Sequence, residues 1–146
     1  MQFQSPNPKR FEGFCWEHLS HYLEFPIEEF HRELIHLIQY PKLVIAAPRY
    51  FAKSTYFSFF YPLFMALENP GIKILLVSAT GNLAEKFLKM ISTELEQNKS
   101  LIADYGFQSP KMADNSGKWS SEELHLANGS KMWAKGAEKQ IRGDHP

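Results

Sequence analysis

The sequence predicts an α/β fold built on a parallel sheet, and three observations predict it. A short aliphatic run, Leu43 to Ala47, ends at Pro48 and leads through a loop into a helical pattern. A second run, "IKILLVSA" from Ile72 to Ala79, leads into another helical pattern. Neither run shows the clean apolar–polar alternation of a strand with one wet face, so both are expected to be buried on both faces. Strand, loop, helix, strand, helix is the order of a parallel sheet with right-handed crossovers.

Length and composition bound what this fold can be. At 146 residues the chain can form one domain with a real core and is short for two. Hydrophobic residues make up 44% and charged residues 22%, a globular composition. A formal net charge of zero excludes a whole-molecule basic field for nucleic acid, while leaving room for a local patch. The single Cys15 excludes an internal disulfide framework and fits a reducing compartment. No apolar run approaches the roughly 20 residues that span a bilayer. The N-terminus, "MQFQSPNPKRFEG", lacks the apolar centre of a signal peptide. A cytosolic protein without membrane contact is expected.

The remaining elements follow along the chain. Residues 1–10 are polar with two prolines and read as a loose arm. "FEGFCWEHLSHYL", Phe11 to Leu23, is aromatic-rich and helical in pattern. Pro26 can open a second helix, in which Phe30, Leu34, Leu37 and Ile38 recur at helical spacing. Lys53 to Leu67 reads as a helix apolar nearly all round and kinked at Pro62. Asn82 with Glu85 resembles a cap for a helix whose stripe is Ala84, Leu88, Ile91 and Leu95. A polar, mobile stretch is expected over Ser109–Ser120. "ELHLANGSKMWAK" then reads as a β-hairpin turning tightly on Asn128-Gly129, with Leu124, Leu126 and Trp133 on one face.

The loop after Ala47 carries the chemistry. Ligands of parallel sheets bind at the carboxyl ends of the strands. A loop that leaves such an end and enters a helix aims backbone N–H groups and the positive end of the helix dipole at one spot, which suits phosphate. In "APRYFAKST", Ala47 and Ala52 occupy the two glycine positions of G-x-x-x-x-G-K-[ST], followed by Lys53-Ser54. Lys53 would reach the terminal phosphates, and Ser54 would ligate their magnesium ion. Two alanines replace the glycines, so the loop must follow a path that tolerates a β-carbon. Arg49 supplies a second cation.

"APRYFAKST" resembles the deviant Walker A motif of the large terminase subunit, the ATPase of the DNA-packaging motor in tailed phages. "KILLVSATGNLAEKFLKMISTELE" is similar to that family's second strand and helix, "ELHLANGSKMWAKG" to its hairpin, and "KQIRGDHP" to its "RG" segment. The similarity runs from about Phe25 to Pro146. It implies a P-loop NTPase-like parallel sheet with flanking helices, incomplete, with a β-hairpin near the C-terminus. Residues 1–24 would be an arm and helix, and 25–146 the first half of a P-loop ATPase domain.

The resemblance implies Arg49 and Lys53 as catalytic residues, and Pro48, Arg49, Tyr50, Phe51, Ala52, Lys53, Ser54 and Thr55 as the ATP-binding loop, with Ser54 on Mg2+. Arg142 would lie near the nucleotide or at a subunit contact. His31 falls in the segment that contacts adenine, although the glutamine usual there is absent. The implied partners are double-stranded DNA, a portal protein, a small terminase subunit and further copies in an oligomeric motor. The implied place is the host cytoplasm, at the procapsid portal. The acidic Walker B strand is expected just beyond Pro146, so residues 1–146 alone are not expected to hydrolyse ATP. A helicase-like ATPase fragment and a non-catalytic anion-binding or degenerate remnant are the alternatives. The six histidines complete no metal-ligand set at convincing spacing, and no Ser-His-Asp nucleophile arrangement is present in pattern.

Overall fold

A computed structural model of the chain describes residues 6–23, 29–42, 54–109 and 117–137. The chain divides into two compact units, Met1–Phe64 and Met65–Pro146.

In the first unit, helix α1 spans Pro8–Leu19. Asn7 caps it: its side-chain oxygen accepts from the N–H groups of Lys9 (2.9 Å) and Arg10 (3.3 Å). Residues 7–10 are therefore not a loose arm. Asn at the cap and Pro at the first helical position are start signals, because each deals with N–H groups that have no partner inside the helix. α1 buries Phe11, Phe14, Cys15, His18 and Leu19 and ends in a 3-10 turn, Ser20–Tyr22. Helix α2, Glu29–His36, continues into a second 3-10 turn, Leu37–Gln39, and buries Ile35 and Ile38. Pro26 and Leu43–Ala47 lie outside the described residues.

The segment from Ser54 forms a π-helical turn over Thr55–Phe60 and then helix α3, Tyr61–Glu68. The N–H of Tyr61 reaches the carbonyl of Tyr56, five residues back. The expected kink at Pro62 is thus met by a widened turn. A proline cannot donate to the carbonyl four residues earlier, and its ring crowds that carbonyl. A π-turn just upstream relaxes the spacing there. As the composition required, this segment is apolar inside: Tyr56, Phe59, Phe60 and Leu63 are fully buried. Phe11 packs against Tyr61 (ring centroids 5.6 Å) and Phe64 (5.2 Å), and Tyr22 against Phe59 (5.0 Å).

The second unit holds β1 (Lys73–Ser78), α4 (Gly81–Gln97), α5 (Lys99–Tyr105), β2 (Glu123–His125) and β3 (Lys131–Gly136). The three strands form one mixed sheet in the order β1-β3-β2, with β1 parallel and β2 antiparallel to β3. α4 packs on β3 and β1. Its stripe of Ala84, Leu88, Ile91 and Leu95 is buried, as are Leu124, Met132 and Ala134 of the sheet.

Several expectations are corrected here. β1 is not buried on both faces: Leu75 and Val77 are 51% and 49% exposed. Alternate residues of a strand point to opposite faces, and the face of Lys73, Leu75 and Val77 is uncovered among the described residues. Thr80, rather than Asn82, caps α4 by accepting from Leu83 N–H (3.3 Å). Helix α5 was not expected. It is opened by Asn98, whose side chain accepts from Leu101 N–H (3.1 Å), and closed by Gly106 at φ 81°.

The hairpin is also differently built. Leu126 N–H donates to Ser130 (2.8 Å) and Gly129 N–H to Leu126 (3.0 Å), so the loop is the three residues Ala127-Asn128-Gly129. Gly129, at φ 90°, takes the left-handed position that such loops end on. One extra loop residue shifts the register by one, which sends a side chain to the opposite face. Leu124 pairs with Met132, and Trp133 sits opposite Glu123, away from Leu124 and Leu126. Within the stretch expected to be mobile, Ser109 is buried, and Trp119 bridges to Leu124 and donates to Glu96 Oε1 (2.6 Å).

Candidate nucleotide site

Of the candidate loop, Pro48, Arg49, Tyr50, Phe51, Ala52 and Lys53 lie outside the described residues, as does Arg142. Ser54 and Thr55 are described. Ser54 is exposed, has right-handed helical angles (φ −68°, ψ −36°) and immediately precedes the π-turn. Thr55 is half-buried and starts the π-turn. A serine hydroxyl in solvent is able to meet a hydrated cation, and the residue before Ser54 is Lys53 in sequence.

Directly after these two residues the chain turns inward at Tyr56. Tyr56 is fully buried, and its hydroxyl has no hydrogen-bond partner among the described residues. Burial pushes the phenol up from its ordinary value, and negative charge on Cys15 and Glu12 would push the same way, so it stays protonated. The ring of His31 lies 5.3 Å from that of Tyr56, tilted 37°, and 3.9 Å from that of Phe30. The structure therefore brings His31 against Tyr56 in the π-turn that follows Ser54. Sequence reading did not single out Tyr56; its position two residues after Lys53-Ser54 was the available signal. Cys15 beside it is buried, and burial raises its thiol far above the ordinary range, which favours the protonated thiol over the thiolate.

In the second unit, parallel pairing sets Ser78 beside Gly136, so β1 and β3 end at the same edge of the sheet. There Ala137 N–H donates to Ser78 (2.8 Å), and α4 begins three residues on from Ser78 at Gly81. This is the edge at which parallel sheets present ligand-binding loops. The segment that includes Arg142 follows β3 in sequence.

A polar cluster occupies the sheet face opposite α4. His125 Nε2 and Glu123 Oε1 are 2.8 Å apart, and Lys118 Nζ is 3.3 Å from Glu123 Oε2. The hydrogen bond to His125, with help from Lys118 and Trp133, holds the Glu123 carboxyl below its usual range. This cluster fixes the hairpin rather than presenting a reactive group, since the carboxylate is already surrounded by donors.

Compared with known protein families, curated proteins and solved structures, the chain finds no match. Among the described residues no helix is long and apolar enough to cross a membrane.

Proposed function

We propose that this chain is the nucleotide-cradling part of a DNA-packaging ATPase of the terminase large-subunit kind. The observation that carries the reading is Lys53-Ser54 in sequence between an aliphatic run and the helical segment that continues from Ser54. The parallel pairing of β1 with β3, with α4 packed on both strands, is in keeping with it.

In this reading Lys53 neutralises the terminal phosphates of ATP and Ser54 ligates the accompanying Mg2+. Backbone N–H groups of residues 48–55 complete the cradle. Arg49 adds the charge and hydrogen-bond donors that a loop without glycines supplies less well from its backbone. Hydrolysis would drive double-stranded DNA through a portal by a motor made of several copies, loaded by a small terminase subunit.

Calorimetric titration of ATP with magnesium into the 146-residue chain and its Lys53→Ala variant tests the cradle. Losing one charge-assisted phosphate contact costs about 1.5–3 kcal/mol, a weakening on the order of ten- to a hundredfold. Equal affinities for the two proteins would refute the reading. Equal affinity of the parent for inorganic phosphate and ATP would favour a simple anion-binding loop instead.

A further inference from the structure

The hairpin loop contains the one Asn-Gly pair in the chain, Asn128-Gly129. Its hydrogen bonds tie the loop to the end of α3. Asn128 Nδ2 donates to the Ala66 carbonyl (2.8 Å), and Asn128 Oδ1 accepts from Ser130 N–H (2.9 Å). Ser130 Oγ, buried, donates to the same Ala66 carbonyl (2.9 Å). Gln108 completes the latch: its Oε1 accepts from Asn128 N–H (3.2 Å), and its carbonyl from Ala127 N–H (2.9 Å).

The same pair is chemically unstable when unconstrained. The backbone nitrogen of Gly129, giving its proton to water or hydroxide, can attack Asn128 Cγ. A C–N bond forms, ammonia leaves with the side-chain nitrogen, and a five-membered succinimide results. Water then opens the ring at either carbonyl, leaving aspartate or a backbone rerouted through the side chain as isoaspartate. Glycine is the least hindered residue to follow the asparagine, since it has no β-carbon and turns freely.

In the folded unit this attack is blocked at each participating group. The Gly129 N–H is engaged with Leu126 (3.0 Å), and both ends of the Asn128 amide are bonded. Ring closure needs the Asn128 backbone and side chain to rotate together, and these bonds do not survive that rotation. The product also cannot restore the latch. Aspartate has no Nδ2 donor, and its carboxylate would face the Ala66 carbonyl, acceptor against acceptor.

We propose that Asn128 is a spontaneous deamidation site gated by the latch between the hairpin loop and the end of α3. Closed, the latch preserves the asparagine. Open, the residue converts and the opening becomes permanent.

The test is peptide mapping by mass spectrometry, following Asn128 during incubation of the full chain in mildly alkaline buffer, with and without denaturing urea. Conversion in buffer should be slower than in urea by about tenfold or more, because reaction must wait for local opening. Ser130→Ala removes one bond to Ala66 and leaves the reacting atoms unchanged. It should speed conversion in buffer severalfold and leave the rate in urea the same. Equal rates for the parent in buffer and urea would overturn the proposal. So would a Ser130→Ala variant that is folded by circular dichroism and reacts at the parent's rate. Should that variant not fold, the buffer–urea comparison on the parent decides alone.

Discussion

Replacing Tyr56 by phenylalanine should stabilise the protein. The Tyr56 hydroxyl is buried and has no partner among the described residues. A buried polar group left unsatisfied costs about 1–3 kcal/mol, because it gave up water and received nothing in exchange. Phenylalanine keeps the ring and its contacts with Phe60 (5.3 Å, near-perpendicular) and His31, and removes only the oxygen. The lost dispersion contacts of one atom are worth a few tenths of a kcal/mol, leaving a net gain of about 1–2 kcal/mol. With a urea dependence of about 1–3 kcal/mol per molar, the unfolding midpoint should rise by roughly 0.3–2 M. Circular dichroism across a urea series measures it.

The alkaline side gives an independent readout. The folded-state phenol is raised above its unfolded value of 10.0 chiefly by burial, so it leaves stability unchanged with pH below that value, and stability falls as pH rises beyond it, where the unfolded chain ionises and the buried phenol does not. Tyr56→Phe should flatten this loss without abolishing it, since the buried Cys15 thiol is raised as well. A midpoint that falls in Tyr56→Phe would refute the reasoning, because it would mean that the hydroxyl has a partner worth keeping.

Other outcomes follow from the same structure. Glu123 is held below the usual carboxylate range, so its contribution is present above the unfolded value and lost as pH falls through the lower folded one. Glu123→Gln should remove that acid-side loss in pH-dependent urea melts, and an unchanged acid limb would contradict the cluster. Gly129→Ala should lower the urea midpoint through about 1–2 kcal/mol of backbone strain. The cause would be strain rather than a clash, since the nearest atoms to an added β-carbon are those of Gly71 at 3.7 and 3.8 Å. An unchanged midpoint would contradict the left-handed loop position. In the ATP titration, Arg49→Ala should weaken binding, and adding Ala52→Gly should not restore it fully, because glycine returns backbone freedom but no charge. Full recovery would make Arg49 incidental.

What could be read from the sequence was what depended on local pattern. The α4 stripe was legible because four apolar residues at helical spacing have one way to be buried, and all four are. The β2–β3 hairpin was legible from Asn128-Gly129, but its register was not. A two-residue and a three-residue loop share the same dipeptide, and the choice depends on where Leu126 and Ser130 pair. That single residue decided the face of Trp133. The start of α1 was misread although its signals were present, because Asn7-Pro8 serves a cap as well as an irregular arm. The exposure of Leu75 and Val77 was not legible, since it depends on what lies over the sheet. For the candidate site, the helical pattern after Ser54 was readable from the apolar run that follows it, while the run and loop before it lie outside the described residues. The approach of His31 to Tyr56 was not, because it is set by how α2 meets the π-turn.

The π-turn holds one residue more than an α-helix would use to cover the same stretch. Seen as an insertion, it sets the phase between Ser54 and α3. Each helical residue advances the chain by about 100°. Deleting one residue between Thr55 and Phe60 would return the segment to regular α-helix and keep α3 in its place. Ser54 would then swing by about that angle around the helix axis relative to α3. A lineage that lost this residue would keep its fold and its motif, and aim the motif elsewhere.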